Sequence, residues 1–317
     1  MNRKKIAFII YKTNENLCSQ LIDSIQKLDV PQGYDIDILP VTGDEKYFVY
    51  DSTMKQSDAR YKIYVDENVL FTYKNILQDV LNIFKSDRKI GIVGVSGAIQ
   101  LSTNGICLEA AKRCGQIFIG DNQNVTTWGE DIVEDYKEVA AVDGWFMATQ
   151  YDIDWQCDMF VGYSFGDSAQ CIEFKRKGYK VVVANQKETW IWYRTTRMTL
   201  ENPARVKFLN EYSKDIFPLV SVIIPTYNRP EYFKLALDSA LNQTYRNIEV
   251  IISDNSTNED TENLMQDYLS RDKRIKYFHH KNFTANDNWN FARKYNNPKA
   301  EYVNWLMDED LFYPRKL

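Results

Sequence analysis

The chain has 317 residues, of which 44% are hydrophobic and 26% charged, the proportions of an ordinary globular protein; a disordered or fibrous chain is excluded. With 39 basic and 44 acidic residues the net charge is −5, so no basic excess exists to grip phosphate backbone, and nucleic acid is not an expected partner. Single cores rarely grow past about 250 to 300 residues, which predicts two domains.

No apolar run reaches the roughly 18 to 20 residues of a membrane span, so no transmembrane segment is expected. The basic start Met1 to Lys5 resembles the head of a signal peptide, but Lys12, Asn14 and Glu15 cut its apolar run, Ile6 to Tyr11, short. The five cysteines show no CxxC pairing and are odd in number, favouring reduced thiols and a cytoplasmic location. His279 and His280 are the only histidines, so histidine chemistry is excluded from the first two thirds of the chain. They read as a surface loop.

In chain order, Lys5 to Tyr11 is a buried parallel strand, Leu17 to Leu28 a helix with apolar residues three and four apart, and Asp35 to Leu39 a strand. Residues 57 to 71 form a β-rich strand ending in Asp66-Glu67. After Ile90 to Ala98 and Ala141 to Ala148, the segment Gly162 to Ser168 leads into a helix reaching Lys177, with Gly178 as its C-terminal stop. Tyr179 to Ala184 is the last strand. Trp145, Trp155, Tyr163, Trp190 and Trp192 read as core packing, or else as a stacking platform for a sugar ring.

Residues 4 to 195 resemble the glycosyltransferase-2-like domain typified by the streptomycin-biosynthesis family. The resemblance rests on Ser57 to Val69, Ile90 to Ala98, Val142-Asp143-Gly144, Asp152 to Gln170 and Arg176 to Val183. It implies a GT-A fold, with Asp66 as the metal or diphosphate ligand, Asp143 assisting, and Asp167 as the general base. The chain departs from the pattern in three places. Asp66-Glu67-Asn68 replaces His-Gln-Asp, and Ser164 and Tyr193 stand where histidines are expected. On the residues alone, Asp167 is equally a helix N-cap and Asp143 a turn residue.

Residues 201 to 218, with Pro203 and Pro218, are expected to link this domain, residues 1 to 200, to a second one at 219 to 317. There the strand, helix, strand order returns: Leu219 to Asn228, Tyr232 to Leu241, Ile248 to Ile252. A further strand, Tyr302 to Met307, runs into Asp308-Glu309-Asp310. If that segment is extended, Asp308 and Asp310 point one way and Glu309 the other. Alternating elements predict an α/β fold: a mostly parallel sheet with helices on both faces and ligands at the strands' carboxyl ends.

The Ser221 to Arg229 opening, Gln243-Thr244-Tyr245, Asp254 and the Asp308-Glu309-Asp310 cluster before Pro314 resemble the N-terminal half of a family 2 glycosyltransferase. This implies that Thr226 and Asp254 contact the nucleoside and that Asp308 and Asp310 hold Mn²⁺ or Mg²⁺ against the diphosphate of a sugar nucleotide. The half that supplies acceptor site and base does not follow, so a fragment of a longer polypeptide is expected, and a cut sheet edge favours a homo-oligomer.

The expected function is transfer of a sugar, with inversion, from a nucleotide sugar such as a UDP-sugar to a glycan or glycoprotein acceptor, in polysaccharide building or protein glycosylation. One alternative makes the first domain a non-catalytic acceptor-binding or assembly module. A nucleotidyltransferase is the other, and the lack of glycine in Tyr11 to Asn16 counts against it.

Overall fold

The computed structural model describes residues 2–120, 124–129, 132–159, 164–195 and 202–317. They form two compact units, Met1–Tyr212 and Ser213–Leu317. The stretch expected as a linker is mostly one helix, Asn202–Ile216, which runs across the boundary between them.

In unit 1 the elements are β1 (Asn2–Tyr11), α1 (Glu15–Ile25), β2 (Asp35–Val41), α2 (Lys46–Gln56), β3 (Ala59–Asp66), β4 (Val69–Phe71), α3 (Ile76–Ser86), β5 (Ile90–Gly94) and β6 (Ser96–Ala98). They continue with β7 (Arg113–Ile119), β8 (Asn124–Gly129), β9 (Tyr136–Glu138), β10 (Ala141–Val142), β11 (Phe146–Thr149), α4 (Gly166–Arg176), β12 (Lys180–Ala184), β13 (Ile191–Tyr193) and α5, the boundary helix. The main sheet has the order β2-β1-β3-β11-β5-β12-β9, with β11 and β9 antiparallel to their neighbours. A second sheet, β10-β6-β7-β13-β4 with β8 on β7, is largely antiparallel and had no clear signal in the sequence.

Local chemistry explains the first elements. Asn14 caps α1 by accepting from the Leu17 amide at 3.1 Å, and Cys18, Leu21 and Ile25 put one buried stripe against the sheet. The register pairs Tyr11 of β1 with Val41 of β2 and Asp66 of β3, so three strands end together. Asp66 therefore lies on the carboxyl edge of the sheet. The tryptophans weighed as a sugar platform fit core packing: Trp145, Trp155 and Trp190 are buried, and half-buried Trp192 donates to the Gly120 carbonyl at 2.7 Å. Tyr163 lies outside the described residues.

Unit 2 contains β14 (Val220–Thr226), α6 (Pro230–Leu241), β15 (Ile248–Asp254), α7 (Asp260–Arg271), β16 (Ile275–His279), α8 (Ala285–Lys294) and β17 (Tyr302–Trp305). Its sheet, β16-β15-β14-β17, is wholly parallel, and Thr226 pairs with Asp254 at the carboxyl ends. Pro230 sits at the start of α6, where its missing amide proton costs nothing, and Thr284 and Asp287 form a capping box on α8. Buried Gln243 receives the Lys316 and Leu317 amides and donates to the Tyr313 carbonyl, holding the last residues in place. Of the two histidines expected in a surface loop, only His280 lies in a connecting segment. His279 ends β16, with its ring bonded to Glu262 and the Ser256 carbonyl, and His280 stacks on Phe283 at 4.3 Å.

Candidate functional site

In unit 2, β17 ends at Trp305, earlier than expected, and the acids after it lie in a turn closed by Asp310 N–H donating to the Met307 carbonyl at 3.0 Å. This corrects the alternation expected of an extended segment. Asp308 and Glu309, not Asp310, line a cleft of about 460 Å³ with Thr226, Tyr227, Arg229 and Asn255. Asp310 is exposed.

Asp308 is buried to 9% exposure and accepts from the Thr226 hydroxyl at 3.0 Å. Arg229 stands in front of both acids, 3.7 Å from Asp308 and 2.5 Å from Glu309. Its position follows from the turn after β14. Asn228 takes a left-handed φ of 50°, its amide donates to the Ser256 hydroxyl at 2.8 Å, and its side chain exchanges hydrogen bonds with Thr257. Arg229 is also the N-cap of α6 and offers that helix no side-chain cap bond, so the positive end of the helix borders the same turn.

Asp254 is fully buried and does not line the cleft. Its carboxylate accepts from the Ser256 amide at 2.8 Å and the Tyr277 hydroxyl at 2.7 Å, and burial together with that bond pushes the Tyr277 phenol well up. Across the cleft, Asn288 ties Ser253 to Asn255, and Trp289 stacks on Trp305 at 5.0 Å. Sequence reasoning missed Glu309, Arg229 and Trp289. Arg229 and Glu309 lay inside the motifs, but a strand drawn two residues too long sent Glu309 to the wrong side.

The donor set of this turn is oxygen only, and no group of three or more His, Cys, Asp or Glu among the described residues is arranged to hold a metal. A hard divalent ion that keeps one or two carboxylates and takes its other ligands from phosphate and water fits such a set.

In unit 1 the structure brings Asp143 and Asp167 together. Asp143, at 4% exposure, accepts from Arg113 at 2.6 Å and from the Ser96 hydroxyl at 2.5 Å, and the Trp145 indole donates to Ser96 at 3.0 Å. The carboxylate is thus neutralised from within. Gly144 follows because a Cβ there would fall 2.3 Å from Asp167 Oδ2.

Asp167 is not the N-cap of α4. That place belongs to Phe165, in a left-handed φ of 68°, and Asp167 lies half-buried in the first turn, accepting from the Ser168 amide at 3.0 Å. Burial raises its carboxyl pKa, the Lys46 ammonium opposes the rise, and Asp143 adds to it. Burial, and after it the charges of Asp66 and Asp167, push the Tyr193 phenol up.

Asp66 Oδ1 is already held by the Asn68 amide at 2.8 Å and side chain at 2.6 Å. Neighbouring Glu67 is buried and accepts from the Thr13 and Asn14 amides, both at 2.7 Å, fixing the β1–α1 turn. With Asp143 paired to Arg113 and Asp66 partly engaged, unit 1 fits a divalent ion poorly.

Residues 7–212 match the family described as "Glycosyltransferase like family", and residues 221–317 match "Glycosyl transferase family 2". The first match covers more than half of the chain. The chain belongs to the glycosyltransferase-like family, with a family 2 segment after it.

The chain is 43% identical over 108 residues to an uncharacterised glycosyltransferase of Rickettsia typhi, a match spanning 34% of the chain and 31% of that relative. It is 36% identical over 93 residues to GalNAc(5)-diNAcBac-PP-undecaprenol beta-1,3-glucosyltransferase of Campylobacter jejuni, over 29% of the chain and 30% of that protein. A relative from Rickettsia felis, 43% identical, is covered over only 16% of its length. The chain thus spans less than a third of these relatives. Among solved structures, GalNAc-T7 with UDP, GalNAc and Mn²⁺ superposes at 8% identity and a TM-score of 0.44, over 66% of the chain and 48% of that structure, too loosely to carry an argument.

Proposed function

We propose that the protein transfers a sugar from a nucleotide-diphosphate sugar, a UDP-sugar in the first instance, to a hydroxyl of a glycan or glycoprotein, with inversion. The observation that carries this reading is the unit 2 cleft, where Asp308, Glu309 and Arg229 meet beside the positive end of α6 at the carboxyl edge of a parallel sheet.

In this reading Asp308, with Glu309 beside it in the cleft or Asp310 in the same turn, would hold Mn²⁺ or Mg²⁺, which would supply charge to offset the departing diphosphate. Thr226 orients Asp308 through its 3.0 Å hydrogen bond. Arg229, released from the acids, turns to the phosphate oxygens, which accept from its planar donors. Thr226 also borders the nucleoside, while Asp254 acts from behind by fixing Ser256 and Tyr277. Unit 1, in the same reading, runs a transfer of its own, in which Asp167 takes the proton of the attacking hydroxyl, a role its raised pKa supports, Asp143 assists and Asp66 serves the diphosphate. Among the described residues no helix is long and apolar enough to cross a membrane, and the five free cysteines support a cytoplasmic placement.

Titrating the whole chain with UDP and GDP, with and without Mn²⁺, tests the unit 2 assignment; absence of any Mn²⁺-dependent binding would overturn it. A second reading for unit 1, a non-catalytic acceptor-binding or assembly module, is favoured by the internal Arg113–Asp143 pair. Unchanged sugar transfer or donor hydrolysis in Asp167→Asn would move unit 1 to that reading.

A further inference from the structure

We propose that His279 is a positioning residue for the unit 2 cleft and that it works as an imidazolium: donating from both ring nitrogens, it fixes the peptide between Ser256 and Thr257 on which the Arg229 turn hangs. Two acceptors face the ring. Glu262 Oε2 of α7 lies 3.1 Å from Nδ1, and the Ser256 carbonyl lies 3.0 Å from Nε2. A neutral imidazole carries one N–H, so either tautomer turns a lone pair on one of these oxygens; only the imidazolium satisfies both. The side chain is 10% exposed, which leaves little water to repair a mismatched nitrogen.

The surroundings favour the charged form. Glu262 faces the ring from α7, and Asp254 of β15 is its partner across the ladder. Tyr277, two residues earlier on β16, gives its hydroxyl to Asp254. His280, the next residue, is pushed down by burial and then by the His279 charge. The Ser256 carbonyl first, and then Glu262 and Asp254 against the cost of burial, hold the His279 pKa above its ordinary value.

One peptide unit carries the coupling. Its carbonyl, that of Ser256, accepts from His279, and its amide, that of Thr257, donates to Asn228 Oδ1 at 2.9 Å. Because the unit is planar, the bond that orients the carbonyl also aims the N–H. Fully buried Ser256 is held at its own amide by Asp254, and its hydroxyl receives the Asn228 amide at 2.8 Å. Asn228 is thus gripped at backbone and side chain in its left-handed conformation, which a residue with a Cβ keeps only when its surroundings hold it. Arg229 follows directly. His279 is not among the cleft's walls, so it acts through this turn.

The positioning role stands on this geometry; its consequence for diphosphate binding rests on the donor reading of the cleft. The full chain has only two histidines, so long-range proton–nitrogen NMR of the imidazoles reads each of them. At about pH 7, His279 should carry two ring protons and His280 one. Glu262→Gln should move the His279 midpoint to lower pH, since a negative neighbour is lost. With a raised folded-state pKa, the stabilisation is present below the unfolded histidine value and is lost as pH rises through the folded one. Across that midpoint, hydrogen-exchange protection of the Asn228 and Thr257 amides, corrected for intrinsic rates, should fall. Mn²⁺-dependent UDP affinity should weaken about 3- to 10-fold over the same range, and in His279→Gln it should be weak and no longer follow the midpoint. A singly protonated His279 at about pH 7, unchanged Thr257 protection, or the same UDP profile in His279→Gln as in the wild type overturns the proposal. Should His279→Gln fail to fold, Glu262→Gln decides, because UDP affinity must shift with the midpoint. If UDP binds at no pH, the donor reading of the cleft is lost, while the imidazole signals and amide protection still decide the role of His279.

Discussion

Units 1 and 2 both place acids where a strand ends or has just ended, and then treat the charge in opposite ways. In unit 1 Asp143 is sealed against Arg113 and Ser96, and Asp66 is folded onto its own Asn68. In unit 2 Asp308 and Glu309 open into a cleft, and their counter-charge is Arg229, whose side chain is 53% exposed. A buried guanidinium is a structural partner that cannot leave without stranding its acid. An exposed one can exchange with metal or phosphate at little cost. The fold therefore fixes where acids stand, and the neighbouring cation decides whether they are available.

Breaking the sealed pair should give the largest effect. Arg113→Ala leaves Asp143 buried and uncompensated, and unit 1 should lose about 3 to 5 kcal/mol in denaturant unfolding. The double variant Arg113→Met with Asp143→Leu should recover much of that loss, because it removes both charges. If Arg113→Ala were harmless, the contrast between the units would collapse.

The open pair should behave the other way. Asp308→Asn should hardly change unfolding but weaken Mn²⁺-dependent UDP or GDP binding roughly 100-fold. A stability loss as large as that of Arg113→Ala would mean that Asp308 is structural as well.

The far wall of the cleft sharpens the comparison further. Trp289 is 43% exposed although its ring stacks on Trp305, so Trp289→Ala should cost only about 0.5 to 1.5 kcal/mol of stability. If the cleft takes a nucleobase, titration with UDP should quench tryptophan fluorescence in the wild type and much less in this variant.

The α/β scheme was legible because its signals are local. The continuous apolar runs at Lys5 to Tyr11 and Leu219 to Asn228, each followed by a helical period, specify strand, helix, strand without help from distant contacts. The second sheet of unit 1 was not legible. Its strands β4, β6, β10 and β13 are two or three residues long and are held by partners far along the chain. At the sites, the positions of Asp66, Asp143, Asp167 and Asp308 could be proposed from strand ends and turns. Their partners could not, since Arg113 and Asp143 are 30 residues apart and Thr226 and Asp308 are 82 apart. The left-handed Phe165 also moved the start of α4, and with it the N-cap, by a margin no propensity indicates.

The smallest effect concerns Asp167, whose charge neither unit's scheme fully balances. Burial raises its folded-state pKa, so the folded chain keeps this proton to higher pH than the unfolded chain does. The sign follows directly: the contribution to stability is present below the unfolded carboxyl value and is lost as pH rises through the folded one. Asp167→Asn cannot lose a proton and should melt higher than wild type at pH 7.5, by no more than about 3 °C, with the gain shrinking toward acid pH. A group kept at some cost in stability is one retained for use, as in sites where activity and stability trade against each other. The same variant should therefore lose transfer or donor hydrolysis while gaining stability. A gain independent of pH would show that charge burial is not its origin, and a gain with full turnover would make Asp167 a strained but idle residue of a binding module.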